Sequence, residues 1–149
     1  MKLSGKKINT VLGEKSAEEL GIVTPHEHVF INLSAFFDKH PVYGVQDPET
    51  EKVKMEHLGT LNLDPYALKD NLVMDDYATQ KKEIEYFKKA GGGTIVDLTL
   101  PGIGRDPVAL KNLAEETGLN IIMGTGYYVS STHKPCVSRA TIAFSLPAS

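Results

Sequence analysis

The sequence predicts an α/β fold in which helices cover a parallel sheet. Three β-branched runs, at residues 22–31, 94–100 and 120–128, have the composition of strands. Two amphipathic stretches alternate with these runs and have the periodicity of helices. Strands and helices in this order are typical of βαβαβ units, whose crossovers are right-handed. We therefore expect the three strands to lie side by side and parallel.

Length and charge narrow the function classes. A chain of 149 residues, 41% of them hydrophobic, is long enough for one folded domain. Its 16 basic and 19 acidic side chains give a net charge of −3, which argues against a nucleic-acid or membrane-surface protein. No stretch approaches about 18 consecutive apolar residues. We expect a soluble, cytoplasmic protein, and the single cysteine, Cys136, is compatible with a reducing compartment.

The N-terminal segment predicts short elements. Residues 7–13 alternate as an extended strand does and end at a glycine. Ser16 and Glu19 have the spacing of a capping box, which predicts a single helical turn. Residues 32–74 are irregular, and a connection this long is usually functional or mobile. Within it, Asp64-Pro65 predicts the start of one short helix.

Two longer helices have clear boundaries. Asp75 or Asp76 is expected to cap the first, which runs to Ala90. The second begins at Asp106-Pro107 and ends at Gly118. The apolar stripes are Tyr77, Ile84 and Phe87 on the first helix, and Leu110, Leu113 and Ala114 on the second.

The triplet His26-Glu27-His28 is the main candidate for chemistry. On a strand, residues i and i+2 face the same way, so both imidazoles project together and Glu27 points to the other side. Paired imidazole nitrogens suit a divalent cation such as zinc. A His-x-His triplet also occurs by chance, and two ligands are fewer than a zinc site usually has.

Other polar residues have two open interpretations. Asp97 ends the second predicted strand of the βαβαβ unit, where it either orients a ligand histidine or bonds to its own loop. Arg105 either binds an anion or braces the loop before the second helix, and we favour bracing. The remaining histidines, His40, His57 and His133, are expected to be solvated loop residues.

The glycine clusters do not predict nucleotide binding. Gly91-Gly92-Gly93 follows a helix and precedes a strand, the reverse of the order in phosphate-binding loops. It predicts a helix stop and a tight junction. Gly124-Thr125-Gly126 follows a strand, but Val129 stands where a dinucleotide-binding fingerprint has its third glycine.

Four stretches, taken in order, resemble a known family. They are residues 9–13, 18–21, 24–28 and 91–129. Together they resemble the N-terminal portion of the phosphotriesterase family of the amidohydrolase superfamily, over about residues 8 to 135. The conjunction of motifs is far more specific than the histidine pair alone.

This resemblance implies a TIM (β/α)₈ barrel with two divalent metals, usually zinc, bridged by a hydroxide that attacks phosphorus or a carbonyl carbon. His26 and His28 match the ligands of the more buried metal. Tyr127 and Tyr128 match a pocket wall after the third strand. The implied partners are small-molecule esters, lactones or organophosphates, without nucleic acid or membrane.

The chain is short for that fold. A complete barrel takes about 250 residues, so we expect a partial barrel that holds the first three βα units. Residues 1–135 then form the N-terminal part, and residues 136–149 are a tail that does not match. The family's remaining ligands, a carboxylated lysine, two histidines and an aspartate, have no matching position. Two expectations follow: a truncated hydrolase with little activity of its own, or a non-catalytic fragment that binds a partner or forms a homo-oligomer.

Overall fold

A computed structural model describes residues 5–133, and its central feature is a parallel sheet. The strands are β1 (Lys7–Thr10), β2 (Gly13–Ser16), β3 (Ile22–Glu27), β4 (Ile31–Asn32), β5 (Val73–Met74), β6 (Gly92–Asp97) and β7 (Asn120–Met123). The α-helices are α1 (Leu58–Leu63), α2 (Tyr77–Lys89) and α3 (Pro107–Thr117). Sheet order is β3-β6-β7. The predicted α/β class and parallel pairing are therefore confirmed.

The core lies between the parallel sheet and helices α2 and α3, which also pack on each other. Ile84 of α2 and Leu113 of α3 are buried against Ile95 and Ile121 of the sheet. Burying one such side chain contributes roughly 1.5–3 kcal/mol. Both predicted apolar stripes thus face the core. No helix within residues 5–133 is long and apolar enough to cross a membrane.

Side-chain caps set the helix boundaries near the predicted positions. Asp76 is the N-cap of α2 and accepts a hydrogen bond from the Thr79 N–H at 2.8 Å. Asp106 caps α3 and accepts from the N–H groups of Val108 and Ala109. The α3 helix ends at Gly118, whose φ of +69° suits a glycine. Each cap satisfies helix N–H groups that have no partner within the helix.

The parallel strands are shorter than predicted. β3 ends at Glu27 rather than at residue 31, and β6 ends at Asp97 rather than at residue 100. Past these ends, the N–H groups of Val29 and Thr99 bond to the Asp97 carboxylate instead of to a neighbouring strand. The third predicted strand ends at Met123, where its parallel partner β6 also ends.

The long connection between β3 and α2 is closed on itself. β4 and β5, at its two ends, pair antiparallel, with Ile31 opposite Met74. The prediction that a short helix starts at Asp64-Pro65 is wrong. The short helix α1 instead ends at Leu63, directly before Asp64. Asp64 has an extended conformation, with φ −137° and ψ 96°. Proline disfavours the helical conformation for the residue that precedes it, so Asp64 ends the helix.

Two predicted junctions are confirmed. Glu19 accepts the Ser16 N–H at 2.8 Å, as in a capping box. Gly91, two residues after the end of α2, has a φ of +96° and stops the helix. A Cβ on Gly93 would overlap the carbonyl oxygen of Leu20, so backbone approaches backbone closely at this point. The expected boundary at residue 135, with Cys136 and the tail 136–149, lies outside the described residues.

Candidate functional site

His26 and His28 lie at the C-terminal end of β3. His26 is within the strand, and His28 follows its last residue. Their ring centroids are 5.5 Å apart with an interplanar angle of 72°. The pairing of β3 with β6 shifts between Thr24 and Glu27, so the strand is irregular around the histidines. Such irregularities re-aim side chains, and here the two rings lie next to each other.

Glu27 forms a hydrogen bond within its own strand. Its carboxylate accepts a hydrogen bond from the Thr24 hydroxyl. Glu27 and His28 both line a groove of about 300 Å³ between β3 and α2, whose other lining residues include Ile84 and Phe87. His28 is only half-buried, so there is space beside its ring.

The second histidine has a specific partner. His28 Nδ1 lies 3.0 Å from Thr99 Oγ1, and the Thr99 side chain is fully buried. Within residues 5–133 no hydrogen bond engages His28 Nε2, which leaves this nitrogen for a ligand. The donor set therefore fits a divalent cation: two adjacent imidazoles, one of them held through its other nitrogen.

Asp97 joins the ends of the three parallel strands. Its carboxylate oxygens accept the N–H groups of Val29 and Thr99, each at 2.8 Å. Its backbone carbonyl accepts the N–H of Gly124 at 2.7 Å. In the described part of the chain, Asp97 makes no direct hydrogen bond to a histidine. The Asp97 carboxylate thus bonds both to its own loop, at Thr99, and to the segment after β3, at Val29. That Asp97 orients a ligand histidine stays a prediction.

The two tyrosines after β7 are partly solvated. Tyr127 is 58% exposed and Tyr128 is 41% exposed. The Tyr128 ring packs edge-on against Phe36, and the Tyr127 ring packs edge-on against His133. Their rings contact other aromatic side chains, and their contact with a substrate stays a prediction.

Sequence comparison identifies the family. The model of the phosphotriesterase family matches residues 6–145. The chain belongs to the phosphotriesterase family. Over 137 residues it is 37% identical to an N-acetyltaurine hydrolase of Danio rerio, covering 91% of this chain and 39% of that protein. An N-acetyltaurine hydrolase of Homo sapiens is 39% identical over 132 residues, covering 88% of this chain and 37% of that protein. The chain thus spans about two fifths of the curated relatives that it matches.

Two solved structures superpose on most of this chain. A resiniferatoxin-binding protein from Rhodobacter sphaeroides superposes with a TM-score of 0.84 at 33% identity, covering 92% of this chain and 38% of that one. A lactonase from Listeria monocytogenes superposes with a TM-score of 0.60 at 22% identity, covering 90% of this chain and 33% of that one. The likeness to the lactonase shows the fold alone.

Arg105 braces a loop of this phosphotriesterase-family chain. Its Nη1 donates to the carbonyl oxygen of Gly124 at 3.1 Å, which ties the loop before α3 to the end of β7. The favoured bracing role is therefore confirmed. Arg105 also lines a cavity of about 480 Å³ together with Asn32 and Ser34.

Sequence reasoning missed one cluster. Glu51, Glu56 and His57 bring three ligand-type atoms within 4.8 Å of one another. The expectation that His57 is solvated is wrong, because it is only 2% exposed. The 3₁₀ turn Met55–His57 turns the ring inward. The only available signal was the proximity of two acids and a histidine, since no helical or strand period relates their positions.

Lys54 already supplies the cation of this cluster. Its Nζ lies 2.9 Å from Glu51 Oε1 and 3.5 Å from Glu56 Oε1. The Lys54 ammonium holds the pKa of the Glu51 carboxyl below its ordinary value. The backbone N–H of Lys54 donates to His57 Nδ1 at 3.2 Å, so the proton of a neutral ring is on Nε2, which faces the acids. This arrangement is suited to fixing the loop rather than to binding a metal.

Proposed function

We propose that this chain is the N-terminal part of a metal-dependent hydrolase with a TIM barrel. Consecutive strands of such a barrel are parallel neighbours, and β3, β6 and β7 have this order. Catalytic residues in these barrels lie at the C-terminal ends of strands. His26 and His28 occupy that end of β3, and this placement within a chain of the phosphotriesterase family is the observation that carries the proposal.

In this proposal, His26 and His28 are two ligands of a divalent cation, zinc in the first instance. A cation bound there polarises the oxygen of a scissile carbonyl or phosphoryl group and activates water. Asp97 contributes by holding the strand ends, and Tyr127 and Tyr128 form part of the substrate pocket wall. A catalytic zinc site usually has three protein ligands, so the histidine pair needs at least one more.

The substrate class is a small molecule with a hydrolysable acyl or phosphoryl bond. The curated relatives bear the name N-acetyltaurine hydrolase, so an N-acyl amide of a small amino sulfonate is the first substrate to assay. Lactones, other esters and aryl phosphotriesters follow. An amide, an ester and a lactone all present a carbonyl carbon, so one site chemistry serves them all.

Metal titration tests the ligand pair. We expect the 149-residue chain to bind Zn²⁺ in calorimetry, and we expect His26→Ala and His28→Ala each to weaken binding by at least 10-fold. His40→Ala is the matched control, because His40 is an exposed loop histidine. Equal zinc affinity in the wild type and both variants would contradict the ligand assignment.

Activity assays test whether this chain alone is catalytically active. We propose that this chain alone turns over little N-acetyltaurine, lactone or phosphotriester with added zinc, because two ligands leave a catalytic zinc incompletely held. Rapid turnover that His26→Ala abolishes would contradict the proposed inactivity while supporting the metal role.

A second candidate function is self-association at the β3 edge. β3 pairs with β6 alone among the described strands, and its Ile22 is 63% exposed. An edge strand with exposed apolar side chains favours pairing with a second copy of the chain. A homo-oligomer in size-exclusion chromatography with light scattering is the expected result for this candidate. A compact monomer would contradict it.

A further inference from the structure

The strongest unassigned relationship in the molecule is the contact between Thr99 and the second histidine. We infer that Thr99 is a positioning residue that holds the His28 ring with Nε2 toward the cation, an inference that rests on the proposed metal role of His28. Thr99 is assigned no direct contact with substrate or metal. It acts through the Nδ1 atom of the ring.

The contact has the geometry that a ligand histidine requires. Thr99 Oγ1 lies 3.0 Å from His28 Nδ1, within hydrogen-bond range. When Nε2 binds a cation, Nδ1 carries the ring proton and donates it to an acceptor, and the Thr99 oxygen is the acceptor in place. Thr99 is only 1% exposed, so bulk water does not compete for this contact.

The Asp97 carboxylate makes the contact rigid. One oxygen accepts the N–H of Thr99, and the other accepts the N–H of Val29, the residue after His28. Thr99 and His28 follow the ends of different strands and are 71 residues apart, and a single buried carboxylate fixes the backbone on both sides of their contact. Asp97 therefore orients the histidine indirectly, through the placement of the Thr99 hydroxyl.

The two candidate ligand histidines differ in how their rings are held. His26 is exposed, and in the part of the chain that the structure describes no hydrogen bond fixes either of its ring nitrogens. His28 is half-buried and held. Removal of the Thr99 hydroxyl is thus expected to affect His28 and to leave His26 unchanged, a distinction that a general loss of stability does not make.

A metal-free experiment tests the contact. Long-range ¹H–¹⁵N NMR spectra of the histidine rings are recorded at a pH where the rings are neutral, for the wild type and for Thr99→Val, Thr99→Ser and Thr24→Val. We expect Thr99→Val to shift the ¹⁵N resonances of His28 but not those of His26, and Thr99→Ser to restore them. Thr24→Val is the matched control, because the Thr24 hydroxyl bonds to Glu27. If Thr99→Val does not fold, Thr99→Ala replaces it. Unchanged His28 resonances would overturn the inference.

A zinc titration of the same variants tests the consequence for the cation. Loss of a group that orients a ligand histidine typically weakens metal binding 10–100-fold. We expect that loss for Thr99→Val, near wild-type affinity for Thr99→Ser, and ring spectra that show zinc on Nε2 of His28. Equal affinities, or zinc on Nδ1, would overturn the inference. A wild-type chain that binds no zinc contradicts the proposed function instead, and the metal-free spectra then still decide whether Thr99 positions the ring.

Discussion

The Asp97 carboxylate accepts the backbone N–H of Val29 at 2.8 Å, across 68 residues of sequence. Because the same carboxylate also accepts the Thr99 N–H, it holds together the segments that follow two neighbouring strands. The candidate histidines lie on one of these strand ends. The shape of the candidate site therefore depends on a buried carboxyl group that, within residues 5–133, makes no hydrogen bond to a histidine.

Asp97→Asn is expected to destabilise the fold. The amide replaces one acceptor oxygen with an NH₂ group that faces a backbone N–H, and an unsatisfied buried polar group costs about 1–3 kcal/mol. Urea unfolding measures this loss. Asp38→Asn, at an exposed aspartate, is the control and should change the free energy of unfolding by less than about 0.5 kcal/mol. Equal effects of the two substitutions would contradict the role assigned to Asp97.

Glycine-to-alanine substitution should destabilise the fold at Gly93 but not at Gly59. A Cβ on Gly93 overlaps the Leu20 carbonyl oxygen, so Gly93→Ala should cost about 1–3 kcal/mol through forced backbone shifts. Gly59 lies within α1 with open space around it, so Gly59→Ala should be neutral or should stabilise by up to about 1 kcal/mol. Thermal unfolding of both variants distinguishes steric overlap from a general intolerance of alanine.

The long connection should lose stability in acid through Asp47. The Lys39 ammonium, with the Thr50 hydroxyl and the Glu49 amide, lowers the pKa of Asp47 from 3.8 to about 2. Folding thus favours the ionised carboxyl. Its stabilising effect is fully present above pH 3.8 and is lost as the pH falls toward 2. NMR titration of the carboxyl should give a pKa near 2 in the wild type and a higher value in Lys39→Met. Lys82→Met, the control, should leave it near 2.

Buried His57 should contribute to the stability of its loop without binding zinc. His57→Ala removes a buried ring and the acceptor of the Lys54 N–H, a loss of about 2 kcal/mol or more in urea unfolding. Exposed His40 serves as the control, and His40→Ala should have a small effect.

Zinc binding by the cluster around His57 is tested in a chain that lacks the His26 and His28 side chains. Zinc should not raise the unfolding temperature of the double variant His26→Ala/His28→Ala, because Lys54 already lies between the acids beside His57. A zinc-dependent rise that His57→Ala removes would show instead that the cluster binds the metal.

Sequence alone determined the features that depend on residues close together in the chain. The Asp76 and Asp106 caps, the apolar stripes of α2 and α3, and the end of α3 at Gly118 follow from spacings of three or four residues. Runs of β-branched residues likewise indicated the parallel sheet, and the His-x-His spacing placed two imidazoles together at a strand end.

Only the tertiary structure decided how strands end and which polar groups meet. β3 and β6 stop where the Asp97 carboxylate takes N–H groups that a longer strand would have paired. The burial of His57 depends on how a long connection folds back, which no periodicity encodes. The contact of Thr99 with His28 forms only because parallel pairing aligns two strand ends 71 residues apart. Local spacing specifies elements and candidate ligands, whereas the contacts that orient those ligands arise from the packing of distant segments.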